Sequence, residues 1–401
     1  MALPTDPGIS GPAIPLARWA DRQLRLLASE TGSARIAALD GPTIVGERGS
    51  NRDFRIDGRV SAGNGGSRLN LARDGVWYAL TLLRPQDREL LPALFLGDEL
   101  DINDTDSIAA AIARHDSAGL LERGRMLGLP VACIDETPVS PPVDMVLKGS
   151  RRSRTPGHRP LVIDLSSIWA GPLAGHLLWL AGADVVRVES QDRLDLIRRD
   201  DPATFGLLNQ GKQSVVIDFS SDAHKAALIS WIRRADFVIE SSRVRALKHL
   251  GIDAEQLVSE VPGLVWLSVT GHGVRGEAAG WVGIGNDCGV AAGLTRAMAD
   301  ASGAIGYVGD ALTDPLTGIA GARAAWQAYR SQEACRIILA MTAIGARALA
   351  EERAFDADLL DDELRGWAAA FGQPFPKRPR RTMLADLPEL GADTKAWLPA
   401  C

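Results

Sequence analysis

Cysteine is scarce in this chain and never occurs in close pairs. The four cysteines lie far apart in the sequence, at Cys133, Cys288, Cys335 and Cys401. A zinc ribbon or a disulfide framework needs cysteines at short, repeated spacings, and no C-x-x-C pair is present. The distribution therefore excludes both and is typical of a protein from a reducing compartment.

The chain also lacks a long apolar run, a leader peptide and an excess of basic residues. Residues 1–10 contain neither the positive segment nor the apolar stretch of a signal peptide, and no uncharged apolar stretch approaches a bilayer span. The net charge of −6 argues against a general nucleic-acid binder, although a local basic pocket for a small anion remains compatible with it. We expect a cytoplasmic protein with neither membrane nor nucleic-acid partners.

The composition is that of a large globular protein. Its 401 residues are 46% hydrophobic and 23% charged, enough for a large core in two or three domain-sized units. From residue 160 onward, apolar runs alternate with helical segments, the pattern of a doubly wound sheet. The predicted strands are residues 161–165, 185–188, 214–218, 237–240 and 265–270. The sequence predicts an α/β protein with a doubly wound, Rossmann-like parallel sheet domain and a smaller α+β domain.

The predicted domains are residues 1–135 and 160–401, joined by a linker at 136–159. The linker contains several prolines and little periodicity. Its basic cluster is Arg151, Arg152 and Arg154. We interpret these arginines as solvated, with a contact to phosphates as the alternative. In the first domain, residues 19–29 and 107–127 are predicted to be helical, and residues 75–83 and 129–134 are predicted strands. Beyond Pro315 the chain is predicted to be mainly helical.

One stretch, residues 160–189, contains the most specific pattern. An apolar run at 161–165 leads into a small-residue turn at 170–172, a helical segment follows, and a second apolar run ends at Glu189. This strand, helix and strand unit puts the turn at the carboxyl edge of a parallel sheet, where such folds bind ligands. The stretch resembles the opening of family III CoA-transferases (the CaiB/BaiF group, formyl-CoA transferase-like), D-L-S-x-x-x-A-G-P followed by L-G-A-D-V-I-K-V-E.

Further segments resemble motifs of the same family. Residues 208–219 resemble L-N-R-G-K-R-S-V-x-L-D, residues 235–252 resemble A-D-V-V-I-E-N-F-R-P-G, and residues 265–276 resemble V-x-x-S-I-T-G-F-G. In the first half, 61–87 and 122–134 resemble the glycine-rich loop and the closing segment that usually come last. The domain order is therefore circularly permuted relative to the family, or the chain keeps part of a longer tandem protein; the total length favours permutation.

The resemblance implies transfer of CoA from an acyl-CoA to a carboxylic acid. In the family, an aspartate followed by x-x-T-G at the start of a helix forms a mixed acyl anhydride and then an aspartyl-CoA thioester. Asp314 matches that spacing, ahead of Thr317 and Gly318. Asp310 follows a glycine but lacks the Thr-Gly spacing, and it is the second choice. Without the resemblance, an Asp before Pro at a helix start is usually only an N-cap.

The resemblance also assigns residues around this nucleophile. The backbone amides of Ala170 and Gly171 correspond to the family's active-site turn, which would stabilise oxyanions. Gly65 and Gly66 belong to a glycine-rich loop that resembles the family's mobile lid; a glycine run is otherwise mostly a flexible turn. Trp169 stands next to the expected thioester, where it either narrows the acyl pocket or is simply a buried aromatic.

CoA brings a 3′-phosphate and a pyrophosphate, so basic side chains near strand ends are expected to bind it. We assign this role to Arg187, Lys212, Arg243 and Arg245. Each has an ordinary alternative as a solvated or salt-bridged surface cation. Ser241 and Ser242 replace the Asn-Phe of the family motif, and Val244 and Arg245 replace its Pro-Gly, a departure that affects the nucleotide site.

Two other functions compete with CoA transfer. A 2-methylacyl-CoA racemase of this family would need a histidine where Asn286 stands, and asparagine cannot abstract an α-proton. His176 and His272 lie elsewhere, and we interpret both as structural. The third hypothesis is a non-catalytic CoA-binding subunit. The expected ligands are coenzyme A, as the acyl-CoA substrate, and a carboxylic acid acceptor, without a metal. The resemblance implies an interlocked homodimer.

Overall fold

The computed structural model of the chain describes residues 10–63, 66–155, 157–242 and 246–398. Its strands form one sheet of three strands and one of seven. The small sheet consists of β1 (Ser67–Leu71), β2 (Trp77–Thr81) and β3 (Val131–Cys133). The large sheet consists of β4 (Val143–Arg151), β5 (Leu161–Asp164), β6 (Asp184–Ser190), β7 (Gln213–Ile217), β8 (Phe237–Glu240), β9 (Val265–Thr270) and β10 (Glu333–Ala340).

Helices surround both sheets. Those before the large sheet are α1 (Ala17–Thr31), α2 (Ala34–Ala37), α3 (Gly41–Asn51), α4 (Pro85–Glu89), α5 (Leu91–Leu94), α6 (Thr105–Ile112) and α7 (Ser117–Met126). Those that follow are α8 (Ala170–Leu180), α9 (Leu196–Asp200), α10 (Pro202–Asn209), α11 (Asp222–Arg234), α12 (Ala246–His249), α13 (Ala254–Glu260), α14 (Gly285–Ala291), α15 (Leu294–Ser302), α16 (Thr313–Ser331), α17 (Met341–Phe355), α18 (Ala357–Ala369) and α19 (Thr394–Trp397), with a 3-10 turn at Gly276–Gly280. Within the described ranges, no helix has both the length and the apolar character that crossing a bilayer requires.

The large sheet has the strand order β4-β10-β9-β8-β5-β6-β7. Its neighbouring strands are parallel, except that β4 pairs with β10 in the antiparallel sense. In chain order, the six parallel strands follow the arrangement 3-2-1-4-5-6 of a doubly wound nucleotide-binding sheet. The predicted doubly wound sheet is therefore confirmed. The order reverses between β5 and β8, and ligands bind such sheets beside the carboxyl ends of the strands at this point.

The five strands predicted from apolar runs are present as β5 to β9, but β4 and β10 are not anticipated by the sequence pattern. Strand β4 lies inside the segment predicted to be a linker. Its side chains are half-buried or exposed, as at a sheet edge, so the strand carries little apolar signal. Strand β10 lies in the region predicted to be mainly helical. It is buried along almost its whole length, and periodicity alone does not distinguish such a short apolar run from a buried helix.

Two hydrophobic cores lie on opposite faces of the large sheet. Along β5, Val162 belongs to the larger core and Ile163 to the smaller one, because successive side chains of a strand point to opposite faces. The larger core also contains Trp19 and Leu24 of α1. The first helices of the chain therefore pack with its second half, and the division into domains at 136–159 stays a prediction.

The small sheet packs different partners on its two faces. Tyr78 and Leu80 of β2 belong to a core that includes residues of α5, α6 and α7. On the other face, Leu69 and Ala79 pack with Val290 of α14. This second contact places β1 beside α14.

The last described segment, residues 374–398, crosses back over the first half and over the edge of the large sheet. Arg381 donates to both carboxylate oxygens of Glu47 in α3, each at 2.6 Å. Further along, Asp393 accepts the Ser214 N–H at 2.8 Å, and its own N–H donates to the Ser214 carbonyl. The segment therefore occupies backbone groups of β7 that would otherwise be free at the sheet edge.

Helices α8 and α16 approach each other closely because glycine lies at their contact. A Cβ on Gly318 would lie 2.7 Å from the carbonyl oxygen of Ala170 and 2.9 Å from side-chain atoms of Leu173. Gly318 lies one helical turn after Asp314, so both residues occupy the same face of α16. The missing side chain at 318 therefore brings the start of α8 next to the start of α16.

We expect Gly318→Ala to destabilise the protein by about 1–3 kcal/mol, because the added methyl group forces two packed helices apart. The matched control is Gly366→Ala in α18, an exposed helical glycine with no atom within 4 Å of the added Cβ. That change should stabilise the helix by up to about 1 kcal/mol. Melting temperatures of the two variants test the difference. If the two variants were equally stable, the α8–α16 contact would not need glycine at position 318.

Candidate active site

Asp314, the second residue of α16, lies where the starts of three helices meet. Backbone N–H groups of Ala170, the first residue of α8, and Gly285, the first residue of α14, face its carboxylate. A Cβ on Gly285 would lie 1.9 Å from Asp314 Oδ2, so only glycine fits there. Helix starts present unpaired N–H groups and the positive ends of helix dipoles. The surroundings of Asp314 therefore favour a negative charge.

Burial is the dominant influence on the Asp314 carboxyl. It raises the pKa from an ordinary value of 3.8 to about 7, against the lowering effect of Arg48 and of the two backbone N–H groups. The nearby charge of Asp310 adds to the increase. Both protonation states are therefore populated at neutral pH. The ionised form is a poorly hydrated carboxylate, the state that suits a nucleophile.

Asp310, the alternative nucleophile, is instead held in an ion pair. Arg48 of α3 donates from Nη1 to Asp310 Oδ2 at 2.6 Å and from Nε to Asp201 Oδ2 at 3.1 Å. Burial raises the pKa of Asp310, and Arg48 opposes this effect. The ion pair occupies one of the two oxygens of Asp310, which favours Asp314 as the reactive carboxylate. No motif in the sequence indicates Arg48.

Two non-glycine residues beside the site adopt the left-handed conformation. Ile168 has φ 70° and Ala311 has φ 44°. Such conformations cost about 1–3 kcal/mol each and persist where surrounding contacts enforce them. Asp195 accepts the N–H of Ile168, and Asn286 Oδ1 accepts the N–H of Ala311 at 3.0 Å. Asn286 therefore holds the turn before Asp314.

Trp169 and Gly171 flank Ala170 but make different contacts. The Trp169 side chain is buried, and its indole N–H has no acceptor among the described residues. Its ring centre lies 5.6 Å from the Arg48 guanidinium. A Cβ on Gly171 would lie 2.3 Å from Ser166 Cβ, so this glycine allows the turn after β5 to close. The structure thus places Ala170 and Trp169 at the site and Gly171 behind it.

Lys212 and Arg187 are buried beneath this turn and already paired. Lys212 Nζ donates to Asp164 Oδ2 at 2.9 Å, and also to Asn209 Oδ1 and to the Pro172 carbonyl oxygen. Arg187 donates to Asp195 at 2.5 Å. Burial lowers the pKa of Lys212 to about 8, although Asp164 opposes this effect. These contacts favour a role in supporting the α8 turn, and the predicted contact of either side chain with CoA phosphates stays untested.

We expect Lys212→Met to destabilise the protein by about 3–5 kcal/mol, because it leaves the Asp164 carboxylate buried without its cation. Lys225→Met is the control: Lys225 pairs with an exposed Asp222, and its loss should cost less than about 1 kcal/mol. Urea unfolding measures both values. A Lys212→Met protein of unchanged stability but weakened CoA binding would contradict the supporting role and favour the phosphate contact.

The glycine-rich loop approaches the site from the small sheet. Gly65 lies outside the described residues, as do Arg243 and Arg245 of the predicted nucleotide contacts. Gly66 accepts the N–H of Leu82 at 2.7 Å and thereby joins the loop to the end of β2. On the other side, a Cβ on Gly63 would lie 2.9 Å from Arg48 Nη2. The described ends of the loop thus connect the small sheet with Arg48.

A buried polar network connects this loop with a second carboxyl group, Asp287, which the sequence analysis did not identify. Thr81 Oγ1 donates to Asp287 Oδ1 at 3.1 Å and lies 2.6 Å from Ser67 Oγ, which in turn lies 2.9 Å from the Tyr307 hydroxyl. Burial raises the pKa of Asp287 to about 7, and the charge of Asp314 adds to the increase. In the sequence, the feature that points to Asp287 as a site residue is its position next to Asn286.

Three buried side chains near the site have the donor types of a metal centre. One potential ligand atom from each of His272, Asp287 and Cys288 lies within 4.8 Å of the others. Burial lowers the pKa of His272 to about 4 and raises that of the Cys288 thiol. At neutral pH the imidazole is therefore neutral and the thiol protonated. His176, in α8, lies 3.1 Å from Arg381 Nη1, and its interpretation as structural stays a prediction.

The raised pKa of Asp314 makes stability depend on pH. The folded protein binds the Asp314 proton more tightly than the unfolded chain does, so ionisation between about pH 4 and pH 7 lowers the free energy of unfolding. Asp314→Asn removes this loss. We expect the stability of the variant relative to wild type to increase as the pH rises, by at most about 1.4 kcal/mol per pH unit. Melting temperatures between pH 4.5 and 8, each in ~0.1 M salt, measure the change; a difference that stays constant over this range would contradict it.

Comparisons with known proteins converge on one family. Residues 160–357 match the sequence profile of CoA-transferase family III. The chain is 30% identical over 208 residues to a succinate–glutarate CoA-transferase of Agrobacterium fabrum, an alignment that covers 48% of this chain and 52% of the relative. It is 33% identical over 123 residues to a succinyl-CoA:mesaconate CoA-transferase of Haloarcula hispanica, covering 28% and 31% of the two chains.

A solved structure of a hypothetical protein from Mycobacterium tuberculosis is also similar. It shares 27% identity with a TM-score of 0.46, over 51% of this chain and 60% of that one. The chain spans about half the length, or less, of the curated relatives that it matches. The stretch that matches the family profile contains β5 to β10, α8 and Asp314.

Proposed function

We propose that the chain is a CoA-transferase of family III, whose sequence profile its residues 160–357 match, and that it transfers CoA from an acyl-CoA to a carboxylic acid with Asp314 as the nucleophile. The observation that carries this proposal is the position of Asp314. Its buried carboxyl group faces the starts of two other helices and has a pKa near neutrality. A structural N-cap would instead accept the amides of its own helix.

The proposed reaction has four steps, and its atoms balance without a further reagent. An oxygen of Asp314 attacks the thioester carbonyl, and the C–S bond breaks to give a mixed anhydride and the CoA thiolate. The thiolate attacks the Asp314 carbonyl carbon and expels the donor carboxylate, which leaves an aspartyl-CoA thioester. The acceptor carboxylate then attacks this thioester and releases the thiolate. Finally the thiolate attacks the acyl carbon of the acceptor and restores Asp314.

The residues around Asp314 support such chemistry in two ways. The N–H groups of Ala170 and Gly285 face the Asp314 carboxyl oxygens, where negative charge develops when the CoA thiolate or the acceptor carboxylate attacks the Asp314 carbonyl carbon. Burial of the carboxyl group limits the access of water, which would hydrolyse a mixed anhydride. We assign to the glycine-rich loop, including Gly65 and Gly66, the shielding of the same intermediates.

The crevice between β5 and β8 is the proposed location of CoA, because the strand order reverses there. Arg243 and Arg245, just after β8, are the proposed phosphate contacts, since Lys212 and Arg187 are occupied by buried carboxylates. The interlocked homodimer and the permuted domain order stay predictions of the resemblance, and the cytoplasmic location stays a prediction from the cysteine distribution and the N-terminal sequence.

The experiment that tests the function is the intact mass of the protein after incubation with a panel of acyl-CoAs. We expect wild type to gain the mass of CoA less one water with at least one donor, because the aspartyl-CoA thioester accumulates when no acceptor acid is present. Asp314→Asn should gain no such mass. The isosteric change Asp310→Asn is the matched control, and it should still form the adduct, though more slowly, because the Arg48 pair is altered.

Three outcomes separate the hypotheses. An adduct on Asp314→Asn but not on Asp310→Asn would move the nucleophile to Asp310. Exchange of the α-proton of a 2-methylacyl-CoA with deuterium, without an adduct, would establish a racemase instead. Binding of CoA without adduct or exchange would indicate a non-catalytic subunit.

A further inference from the structure

Arg48 has a third side that the described residues leave open. Its Nη1 donates to Asp310 and its Nε to Asp201, whereas Nη2 has no acceptor among the described residues and lies beneath Gly63. The Arg48 side chain as a whole is 20% exposed. A guanidinium presents its donors in a planar fork, and a carboxylate matches such donors.

Two further polar atoms at the same place lack partners. The indole Nε1 of Trp169, whose ring lies 5.6 Å from the guanidinium, has no acceptor among the described residues. Asp310 Oδ1 is likewise buried without a donor in this part of the chain. Buried polar groups in native proteins are nearly always hydrogen-bonded. A ligand that accepts hydrogen bonds from Trp169 Nε1 and Arg48 Nη2 would satisfy the buried indole and the open side of the guanidinium.

The charges around Asp314 show why such a ligand needs a cation. Asp310 and Asp287 are the other carboxyl groups close to Asp314, and the charge of each is coupled to it. Arg48 is the cation that lowers the pKa of Asp314. A second carboxylate that approached the three acids without a cation would be repelled. In each turnover of the proposed reaction, the carboxylate of the acceptor acid approaches Asp314 once, and the carboxylate of the donor acid leaves once.

We propose that Arg48 binds the carboxylate of the acceptor acid, and of the departing donor acid, beside Asp314. This inference rests on the proposed function and names the residue that recognises its second substrate. The free side of the guanidinium receives the acid between Trp169 and Gly63. The proposed ligand is an ionised carboxylic acid. Arg48 pairs with the charge of its carboxylate while one carboxylate oxygen attacks the aspartyl thioester.

Contacts other than the Arg48 ion pairs also hold α3. Glu47, the preceding residue, is bound through both oxygens by Arg381. The side chain of Phe375 lies against Gly49, where a Cβ would be 2.5 Å from its ring. A change at Arg48 still leaves the buried Asp310 and Asp201 without their cation, so the stability of each Arg48 variant is measured beside its binding of the acid.

The test uses the discharge of the aspartyl-CoA adduct. The adduct is formed with whichever acyl-CoA loads wild type, separated from free ligand, and discharged with the carboxylic acid of that same donor, which reverses the first two steps. We expect Arg48→Gln to raise the half-saturating concentration of this acid about 10- to 100-fold, the range for a lost charged hydrogen bond. Arg48→Lys keeps the charge and should recover part of the loss.

Two controls separate binding from structure. Arg52→Gln removes a cation at the residue that follows α3. Arg52 lies 3.5 Å from the shared Asp201 and, among the described residues, forms an ion pair with neither Asp310 nor Asp314; its loss should leave the half-saturating concentration within about twofold of wild type. Hydroxylamine, a neutral nucleophile, also discharges a thioester and needs no cation. In Arg48→Gln its rate should fall far less than the rate with the acid.

The outcomes distinguish this inference from the proposed function. A wild type that loads with no acyl-CoA overturns both. If wild type loads, two results with Arg48→Gln would overturn the role of Arg48 alone. One is an unchanged half-saturating concentration of the acid, and the other is an equal fall in the discharge rates with the acid and with hydroxylamine. If Arg48→Gln does not fold or does not load, Arg48→Lys and Gly63→Ala, which presses on Nη2, replace it. Half-saturating acid concentrations that are unchanged in both of these variants would equally overturn the inference.

Discussion

The site depends on the close contact between helices α8 and α16. Because Gly318 has no side chain, the first residue of α8 reaches the first turn of α16, and Gly285 adds the start of α14 on the other side. The helix starts surround Asp314 with backbone N–H groups, while burial keeps water away. The opposing effects place the pKa of this carboxyl near neutrality. A charge that is stabilised by fixed amides and little by water is suited to covalent catalysis.

Buried charge pairs hold the backbone around this contact. Arg187 pairs with Asp195, and Asp195 accepts the N–H of the left-handed Ile168 before α8. Lys212 ties the end of β5 to the first turn of α8 through Asp164 and the Pro172 carbonyl. Such pairs are costly to break because the remaining charge stays buried. They stabilise a strained turn that would otherwise relax, which is typical of functional sites.

The sequence alone was sufficient to predict those parts of the fold that depend on short, continuous segments. The apolar runs of β5 to β9 lie within short segments, so the sequence pattern was sufficient to predict them. The spacing that indicates Asp314 is equally short, and its role stays a proposal. The partnership of Arg48 with Asp310 joins residues 262 positions apart, and no local pattern encodes it. A motif lysine such as Lys212 looks the same in sequence whether it meets a phosphate or a buried carboxylate. Only the three-dimensional environment shows its partners.

The most direct test of the account is the identity of the residue that carries CoA. The protein is incubated with the acyl-CoA that adds mass, digested, and mapped by peptide mass spectrometry under conditions that preserve thioesters. The account predicts the CoA mass on Asp314, at the start of α16. CoA on Asp310, on Asp287 or on a cysteine would contradict it, because the convergence of helix starts would then not mark the nucleophile.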